Sequence, residues 1–405
     1  MKKKLLIAIL VLPVLLMSPG LGCGVGVRGL TIGEQQLVES SNTFGFELFR
    51  EVIDQDGDKN VFISPLSVSM ALGMTLNGAD GDTYEAMKQT LEMAGLTEEE
   101  INRSYQSLIE LLRGLDPKVI FQVANSIWYR QDFDVEQTFL DVCQQYFDAE
   151  VTGLDFSDPG AVDTINGWVN ENTNGKIEEI VDSPIDALTM MFLINAIYFK
   201  GTWKYQFDEG DTQSAPFYLP DDSEVQCQMM QQQVTLDYYA NEDFQAVDLP
   251  YGGGKYSMTV LLPALDKDID ELISELDDEN WNEWTDHLSE EEVALHLPKF
   301  TLEYELKLND VLKAMGMEVA FVPSLADFTR MNTGGGLYIE EVKHKTFVEV
   351  NEEGTEAAAV TSVEMGLTSA PEFAEMRVNR PFIFVIRENH SGSILFAGKI
   401  MNPVA

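Results

Sequence analysis

The residue types that carry out catalysis are present, but not in the spacing that catalysis needs. The sequence has four histidines, His287, His296, His344 and His390, and none stands in a pattern with serine, cysteine or an acid that marks a nucleophile. Neither an HExxH nor a GxSxG motif occurs. The 68 acidic residues supply so many chance pairs that no catalytic carboxylate pair stands out. We therefore expect the protein not to be an enzyme.

Two turns resemble ligand-binding loops without completing them. Gly252-Gly253-Gly254-Lys255 is followed by Tyr256, where a phosphate loop needs Ser or Thr to hold magnesium. The segment Asp54–Asp58 has its glycine at the fourth position, whereas a calcium loop needs it at the sixth. A hairpin and a solvated turn explain these segments better. Because no Cys/His cluster has metal-binding spacing either, we expect no metal and no cofactor.

The most unusual stretch of the chain runs from Glu352 to Ala374. From Thr355 onward every second residue is small or apolar, and the alternate positions carry the charges, which is the pattern of a strand with one face on a core. Alanine stands where a permanent strand favours β-branched residues, and small side chains suit a strand that slides between neighbours already in place. An alanine-rich exposed loop or helix is the alternative. The first face comprises Thr355, Ala357, Ala359, Thr361, Val363 and Met365, and the second Glu356, Ala358, Val360, Ser362 and Glu364.

Length and charge limit the classes of function. A chain of 405 residues with 45% apolar composition can bury a sizeable core. Its formal net charge is −42 at pH 7, and such a surface repels a phosphate backbone, so we exclude nucleic acid as a partner. Cys143 and Cys227 belong to no CxxC pair, and we expect both to be free, buried thiols.

The N-terminal segment has the order of an export signal. Three lysines at positions 2–4 precede an apolar run from Leu5 to Met17, and small residues follow at 18–22. The apolar run is too short for a mature membrane-spanning helix. We therefore predict a signal peptide at residues 1–22 and a secreted, extracellular protein.

The end of this signal allows two outcomes for Cys23. Leu21-Gly22-Cys23 resembles a prokaryotic lipobox, in which the cysteine is lipidated and becomes the new N-terminus, although Gly20 replaces the usual aliphatic residue. Lipidation of Cys23 would anchor the protein to the cell surface, and plain secretion is the alternative. Residues 23–33 are rich in glycine and are predicted to form a short tether.

Helical spacing dominates the first half of the remaining chain, and strand patterns dominate the second. Leu188–Phe199 is apolar almost throughout and is predicted to be a central strand buried on both faces. Glycine triplets at 252–254 and 334–336 predict hairpins. No linker divides the chain, so we predict one α+β domain over residues 34–405. Further helices are predicted at 67–77, 136–146 and 161–171, and strands at 61–63 and 119–129.

Six separated motifs in a fixed order resemble those of the serpin family, over residues 34–403. Any one of them alone would be weak, but the set in this order is specific. The resemblance implies the serpin fold, with helices packed around a large central β-sheet, smaller sheets and an exposed reactive-centre loop. The motifs are Asn60–Ser67, Asn172–Ile177, Leu193–Trp203, Leu297–Phe300, the GTEAAA segment from Gly354, and Asn379–Phe382 together with Phe396–Lys399.

The mechanism that the resemblance implies is suicide inhibition of a serine protease. The protease cleaves the exposed loop and is caught as its acyl-enzyme, and the cleaved loop enters the large sheet as a new strand. The inserted residues must be small and uncharged on their inward side, because a buried charge costs several kcal/mol. The alternation from Thr355 to Thr361 meets this requirement and favours an inhibitor over a non-inhibitory relative, which remains the alternative as a surface binding or structural protein.

The resemblance also assigns roles to individual residues. Trp203, Lys299 and Glu352 are expected at the breach, where insertion begins, with Glu352 pairing with Lys299. The shutter beneath the opening strands is expected to contain Ser64, Ser67, Asn195 and His344. The hinge comprises Gly354, Thr355, Glu356, Ala357, Ala358 and Ala359.

The reactive bond is expected at Thr368-Ser369 from the family's usual hinge length. Because this chain carries extra residues before Asn379, Leu367-Thr368 is the next candidate. No Lys or Arg occurs between Glu352 and Met376, so a trypsin-like pocket has nothing to bind. We expect an elastase-, chymotrypsin- or subtilisin-like serine protease as the partner in a covalent acyl complex, with a cysteine protease as a further target, and a monomeric inhibitor.

Overall fold

The computed structural model describes residues 28–221, 223–355 and 373–405. Helices α1 and α4 begin at capping boxes, in which Thr31 with Glu34 and Thr97 with Glu100 satisfy the first backbone N–H groups. A π-helical turn at Lys313–Met317 separates the last two helices. The α-helices are α1 (Ile32–Asp56), α2 (Pro65–Leu76), α3 (Gly81–Thr90), α4 (Glu98–Leu112), α5 (Gln137–Phe147), α6 (Gly160–Asn172), α7 (Ile269–Glu275), α8 (Asp278–Asp286), α9 (Asn309–Leu312) and α10 (Glu318–Phe321).

The strands of the described ranges form two sheets. They are β1 (Val61–Ile63), β2 (Val119–Arg130), β3 (Ala149–Leu154), β4 (Met191–Thr202), β5 (Gln213–Tyr218), β6 (Glu224–Ala240), β7 (Phe244–Tyr251), β8 (Tyr256–Pro263), β9 (Ser289–Pro298), β10 (Phe300–Lys307), β11 (Lys343–Asn351), β12 (Gly354–Thr355), β13 (Ala374–Arg377), β14 (Phe382–Glu388) and β15 (Ile394–Ile400). One sheet has nine strands in the order β1-β15-β14-β8-β7-β6-β9-β13, with β5 beside β6, and the other has six in the order β10-β11-β12-β4-β2-β3.

The six-stranded sheet is covered by helices on both faces. On one face Asn195 of β4 contacts Met70 of α2. On the other face Ile194 packs with Ile165 of α6 in a separate apolar cluster. Successive residues of β4 therefore alternate between the α2 side and the α6 side, as the pleat of a strand requires.

The predicted α+β class and most elements are confirmed, and two local predictions are wrong. The glycines at 334–336 lie in a loop with turns, and no strand begins until Lys343, so there is no hairpin at this place. The central strand begins at Met191 instead of Leu188, and its first residues are only half-buried. The even and odd positions of β4 contact two separate apolar clusters on opposite faces, as predicted, and an apolar run without polar alternation gives no signal for the residue at which the strand begins.

The structure describes residues 28–33, the last part of the segment predicted to be a tether. Helix α1 begins at Ile32, because Thr31 caps it. Arg28 donates two hydrogen bonds to the fully buried carboxylate of Glu34, and its backbone carbonyl lies 2.7 Å from the His390 ring. The chain is therefore fixed to the domain from Arg28 onward, within the range assigned to the tether.

Two further findings concern the thiols and the membrane. Cys143 and Cys227 are both buried and free, as expected. Within residues 28–221, 223–355 and 373–405, no helix has the length and apolar character needed to cross a bilayer.

Candidate functional site

Strand β12 consists of Gly354 and Thr355 alone, yet it joins the two halves of the six-stranded sheet. Thr355 lies opposite Val350 of β11 on one side and opposite Gly201 of β4 on the other. In the part of the chain that the structure describes, no ladder joins β4 directly to β11. Residues 191–200 of β4 therefore have no described partner on their β11 side. We call the space between β4 and β11 below β12 the slot.

The backbone at the start of β12 requires glycine. Gly354 has a φ of 152°, and a Cβ at this position would overlap the carbonyl oxygen of Gly201. Gly201 in turn lies so close to the ring of Tyr251 that a side chain there would collide with it. The absence of a side chain at Gly354 allows β12 to approach β4 closely enough to form its ladder, and its absence at Gly201 makes room for the Tyr251 ring.

Trp203 fixes the base of the hinge. Its backbone N–H donates to the carbonyl of Glu353 (2.8 Å), and its indole Nε1 donates to the carbonyl of Asn351 (2.9 Å). The indole stacks on the ring of Tyr251, with centroids 4.4 Å apart and planes 14° from parallel. Trp203 thus lies where the chain passes from β11 into β12.

The expected ion pair between Lys299 and Glu352 is present, with Nζ and Oε2 separated by 2.7 Å. Thr212 also donates a hydrogen bond to Glu352 Oε1 (2.7 Å). Burial alone would raise the pKa of the Glu352 carboxyl, yet the hydrogen bonds from Lys299 and Thr212 bring this pKa below its usual value. The carboxylate is therefore held charged beside the first residues of the hinge.

A small cavity of about 20 Å³ lies in the slot directly below Thr355. It has room for about one water molecule. Its walls come from β4 on one side, at Ile197 and Phe199, and from β11 on the other, at Phe347 and Val348. The upper part of the slot is therefore narrow and mostly apolar.

The segment that follows α6 crosses the slot on its outer face. Asn174 Nδ2 donates to the hydroxyl of Tyr198 on β4 (3.2 Å), and the Lys176 ammonium lies 4.7 Å from the ring centroid of Phe347 on β11. Lys176 also lies 4.0 Å from the Glu349 carboxylate. This segment contacts both flanks of the slot without joining them by a ladder.

Three of the four expected shutter residues are connected at the base of β11. His344 Nε2 accepts the backbone N–H of Ser64 (3.0 Å), so the proton of the neutral ring lies on Nδ1. Ser64 Oγ donates to the carbonyl of Leu395 (2.7 Å) and accepts the N–H of Ser67 (3.4 Å) at the start of α2. Burial lowers the pKa of His344 to about 4, so the ring is neutral at pH 7.

The fourth shutter residue, Asn195, lies apart from this group. Its amide donates to Asn125 Oδ1 on the neighbouring strand β2 (2.7 Å), and no hydrogen bond to His344 is present. The Oδ1 atom of Asn195 is buried and accepts no hydrogen bond from any described residue. The structure thus divides the expected shutter between the two flanks of the slot, because Asn195 belongs to β4 and His344 to β11.

Several expected site residues lie outside the described residues. They are the lipidation candidate Cys23, the hinge residues Glu356, Ala357, Ala358 and Ala359, and the reactive-bond candidates Leu367, Thr368 and Ser369. In the described ranges, no group of three or more His, Cys, Asp or Glu side chains is placed to hold a metal ion.

The site contains three residues that the sequence did not point to: Asn125, Thr212 and Tyr251. Asn125 interrupts the buried face of β2, where Val119, Phe121 and Val123 precede it, and this polar break was a visible signal. Nothing in the spacing of Thr212 or Tyr251 indicates a contact with residues more than 100 positions later.

Comparison with known sequences gives one family. The model of the family described as serpin (serine protease inhibitor) matches residues 39–403. Human (Homo sapiens) serpin B9 is 37% identical over 380 residues, which cover 91% of this chain and 100% of the relative. Neuroserpin of the chicken (Gallus gallus) is 36% identical over 358 residues, covering 86% of this chain and 87% of the relative.

Solved structures agree with this result. The thermophilic serpin tengpin in its native state superimposes with a TM-score of 0.83 at 33% identity, over 93% of this chain and 96% of the other. Human thyroxine-binding globulin, solved in complex with thyroxine, superimposes with a TM-score of 0.84 at 28% identity, over 92% of this chain and 100% of the other.

Proposed function

The chain belongs to the serpin family, whose members are usually protease inhibitors, and from this premise we propose that it inhibits serine proteases as a suicide substrate. The catalytic serine of the target attacks the carbonyl of Thr368 and forms an ester, and the Thr368–Ser369 peptide bond breaks as Ser369 leaves with its new amine. The freed loop then enters the slot and carries the attached protease with it. This proposal rests on one observation: β12 pairs with both β4 and β11, and below it no described ladder joins these two strands.

The length of the slot fits the length of the loop. Continuing the antiparallel register from the Thr355–Gly201 pair would place Glu356 opposite Lys200 and Met365 opposite Met191. The part of β4 that lacks a described partner thus receives residues 356–365. Because Thr355 is already in the sheet, the 13 residues from Glu356 to Thr368 follow it, ten of them opposite β4, and the protease moves about 40 Å from its first position.

The same register gives the inserted residues suitable partners. Directly opposite residues of an antiparallel pair share a face, so Thr361 would lie beside Asn195, whose buried Oδ1 lacks a donor among the described residues. Ala357 and Ala359 would lie opposite the bulky Phe199 and Ile197 of β4. Insertion would therefore satisfy a buried acceptor and would place small side chains where space is limited.

The composition of the loop supports a target with apolar specificity. The absence of Lys and Arg between Glu352 and Met376 gives a trypsin-like pocket no ligand. Thr368, and Leu367 as the next candidate, suit elastase-, chymotrypsin- or subtilisin-like proteases. A papain-like cysteine protease is a further target by the same loop chemistry.

The test is incubation of the protein with subtilisin, elastase and chymotrypsin, followed by denaturing electrophoresis. We expect an SDS-stable complex with at least one of the three and a released C-terminal peptide that begins at Ser369 or Thr368. Cleavage by all three without any complex would contradict inhibition and would favour a non-inhibitory binding protein.

A matched pair of hinge variants tests the inward face. Thr355 is buried, with 3% of its surface exposed, so Thr355→Arg would place a charge inside the sheet at a cost of several kcal/mol. We expect this variant to be cleaved without trapping the protease. Glu356→Arg is the control, because the alternation predicts that position 356 faces outward, and it should still form the complex.

We also propose that the protein acts outside the cell as a monomer, held at the surface by a lipid on Cys23. The basis is the signal-like residues 1–22 and the Leu21-Gly22-Cys23 junction. Mass spectrometry of the N-terminal peptide from the native host should find a lipid on Cys23, and Cys23→Ser should release the protein into the medium. A mature chain that begins elsewhere and carries no lipid would contradict the anchor.

A further inference from the structure

Two buried hydroxyl groups meet at the first residue of the hinge that enters the sheet. The oxygen of the Tyr251 hydroxyl lies 2.6 Å from Thr355 Oγ1. Tyr251 is fully buried and Thr355 is 3% exposed. Within the described part of the chain, this is the only hydrogen bond of either hydroxyl. Each group therefore depends on the other, since a buried hydroxyl without a partner is destabilising.

The position of Tyr251 is fixed by residues other than Thr355. Tyr251 is the last residue of β7, its ring stacks on Trp203, and the ring of Phe199 packs against it edge-on with centroids 5.1 Å apart. The absence of a side chain at Gly201 leaves the space that this ring occupies. The hydroxyl is therefore held in place by packing and does not have to be ordered when Thr355 arrives.

We propose that Tyr251 is a positioning residue that keeps Thr355 inside the sheet before the loop is cleaved, so that insertion extends a strand already begun. This inference rests on the proposed inhibitory function. Forming the first pair of a new strand fixes backbone and side-chain freedom before later pairs stabilise it. With Thr355 already bound, insertion of the cleaved loop begins from that residue. Insertion is therefore faster relative to hydrolysis of the acyl-enzyme, which would release the protease.

The main variant is Tyr251→Phe, which leaves the ring in place and removes the partner of the Thr355 hydroxyl. Because Thr355 would lose its buried hydrogen-bond partner, the equilibrium constant for detachment of β12 from the sheet should rise by about 5- to 30-fold. Hydrogen exchange of the backbone amides of residues 352–355 in the uncleaved protein measures this opening. We also expect the number of inhibitor molecules consumed per protease trapped to rise, by up to about fivefold.

The matched control is Tyr256→Phe. Tyr256 lies opposite Tyr251 in the β7–β8 ladder, is 1% exposed, and donates its hydroxyl to the carbonyl of Leu112 instead of the hinge (2.6 Å). This variant loses a buried hydroxyl of the same kind, so it reports the loss of overall stability alone. We expect no change in exchange at residues 352–355 and no change in the number of inhibitor molecules consumed.

A second variant distinguishes positioning from general packing. Thr355→Val combined with Tyr251→Phe removes both hydroxyls and leaves no buried group without a partner. We expect this double variant to recover most of the exchange protection and most of the trapping that Tyr251→Phe alone loses.

The outcomes separate this inference from the proposed function. The inference that Tyr251 positions Thr355 is supported if Tyr251→Phe shows faster exchange at residues 352–355 and poorer trapping, and Tyr256→Phe shows neither. Unchanged exchange in Tyr251→Phe overturns it, as does faster exchange with undiminished trapping. If the unaltered protein traps none of the three proteases, the proposed function fails, and the exchange result alone decides whether Tyr251 holds the hinge.

Discussion

The two sheets of this protein differ in how completely neighbouring strands are paired. In the nine-stranded sheet, β7 and β8 pair over eight residues and β6 and β9 over ten. In the six-stranded sheet, β2 pairs with β4 over eleven residues and β10 with β11 over eight, but two residues of β12 connect these halves. The second sheet is thus two well-formed parts with a short link between them.

This difference identifies where the molecule can still gain pairing. Backbone groups along a strand edge are strong donors and acceptors, and each ladder bond contributes about 1 kcal/mol net when it forms. The shortest central ladder of the nine-stranded sheet, between β6 and β7, has four residue pairs, which is twice the number on either side of β12. In the six-stranded sheet, residues 191–200 of β4 pair with no described residue on the β11 side, and this is the edge to which the loop is proposed to add.

The largest effect is expected from a substitution at the aromatic core of the nine-stranded sheet. Phe384 of β14 is fully buried, stacks on Phe62 at 5.5 Å and contacts Phe300 at 5.3 Å. Phe384→Ala should lower the free energy of unfolding by about 3 to 5 kcal/mol, because it removes apolar contacts and leaves a cavity. Urea denaturation of the intact and the loop-cleaved protein measures it.

The comparison of the sheets requires this loss to be the same in both forms, since cleavage leaves the nine-stranded ladders unchanged. A much larger loss in the intact form alone would mean that the two sheets do not behave separately.

The next effect concerns pH and the base of the slot. His344 has a pKa of about 4 in the folded protein because it is buried, whereas the unfolded chain binds the proton near pH 6.5. The unfolded state therefore takes up more protons as the pH falls, and stability is full above about pH 6.5 and declines toward pH 4. Between pH 7 and pH 5 we expect this residue to account for a loss of about 2 kcal/mol in the free energy of unfolding.

His344→Gln should remove that loss, because an amide oxygen can still accept the Ser64 N–H and does not titrate. His296→Gln serves as the control in the nine-stranded sheet, where burial, followed by the charge of Arg377, lowers the histidine pKa. His296 is only half-buried, so its variant should retain most of the pH dependence. Equal pH dependence in the unaltered protein and in His344→Gln would be inconsistent with this assignment.

The smallest of the three effects is expected at the upper end of the slot. Glu352→Lys replaces the carboxylate that accepts from Lys299 and Thr212 with a second cation. Glu352 is buried but Lys299 is partly exposed. We therefore expect the free energy of unfolding to fall by about 1 to 2 kcal/mol, which lies between the values for exposed and buried ion pairs. The weakened link should let β12 leave the sheet, and mild heating should then produce oligomers by size-exclusion chromatography.

Glu303→Lys provides the matched charge reversal within a complete ladder. Glu303 pairs with Lys345 across β10 and β11 and is largely exposed. Its reversal should therefore lower the free energy of unfolding by less than about 1 kcal/mol, and the variant should form no oligomers. Oligomers from both variants, or from neither, would contradict the claim that β12 leaves the sheet more easily than the strands of the β10–β11 ladder.

Much of the fold was predictable because local patterns agree with the tertiary structure. Thr97 with Glu100 marks a helix start through side-chain and backbone chemistry that acts over a few residues. The helix predicted at 67–77 is present, but it begins at Pro65 because Ser64 caps it. The Lys299–Glu352 pair was expected from resemblance to a family, and its geometry is present.

What the sequence did not reveal depends on long-range placement. The contact of Tyr251 with Thr355 joins residues 104 positions apart, and no periodicity encodes it. Asn195 and His344 were expected in one polar group, but they lie on opposite flanks of the slot, and their separation depends on whether a strand lies between β4 and β11. The glycines at 334–336 read as a hairpin because glycine marks turns of many kinds, including those of an irregular loop.

The most direct test of the central claim compares the melting temperature of the intact protein with that of the protein cleaved in its reactive loop. If residues 356–365 enter the slot and form ladder bonds worth about 1 kcal/mol each, the cleaved protein should melt at least about 10 °C higher. An unchanged or lower melting temperature after cleavage, established by mass spectrometry to lie between residues 365 and 370, would show that the six-stranded sheet does not accept its own loop.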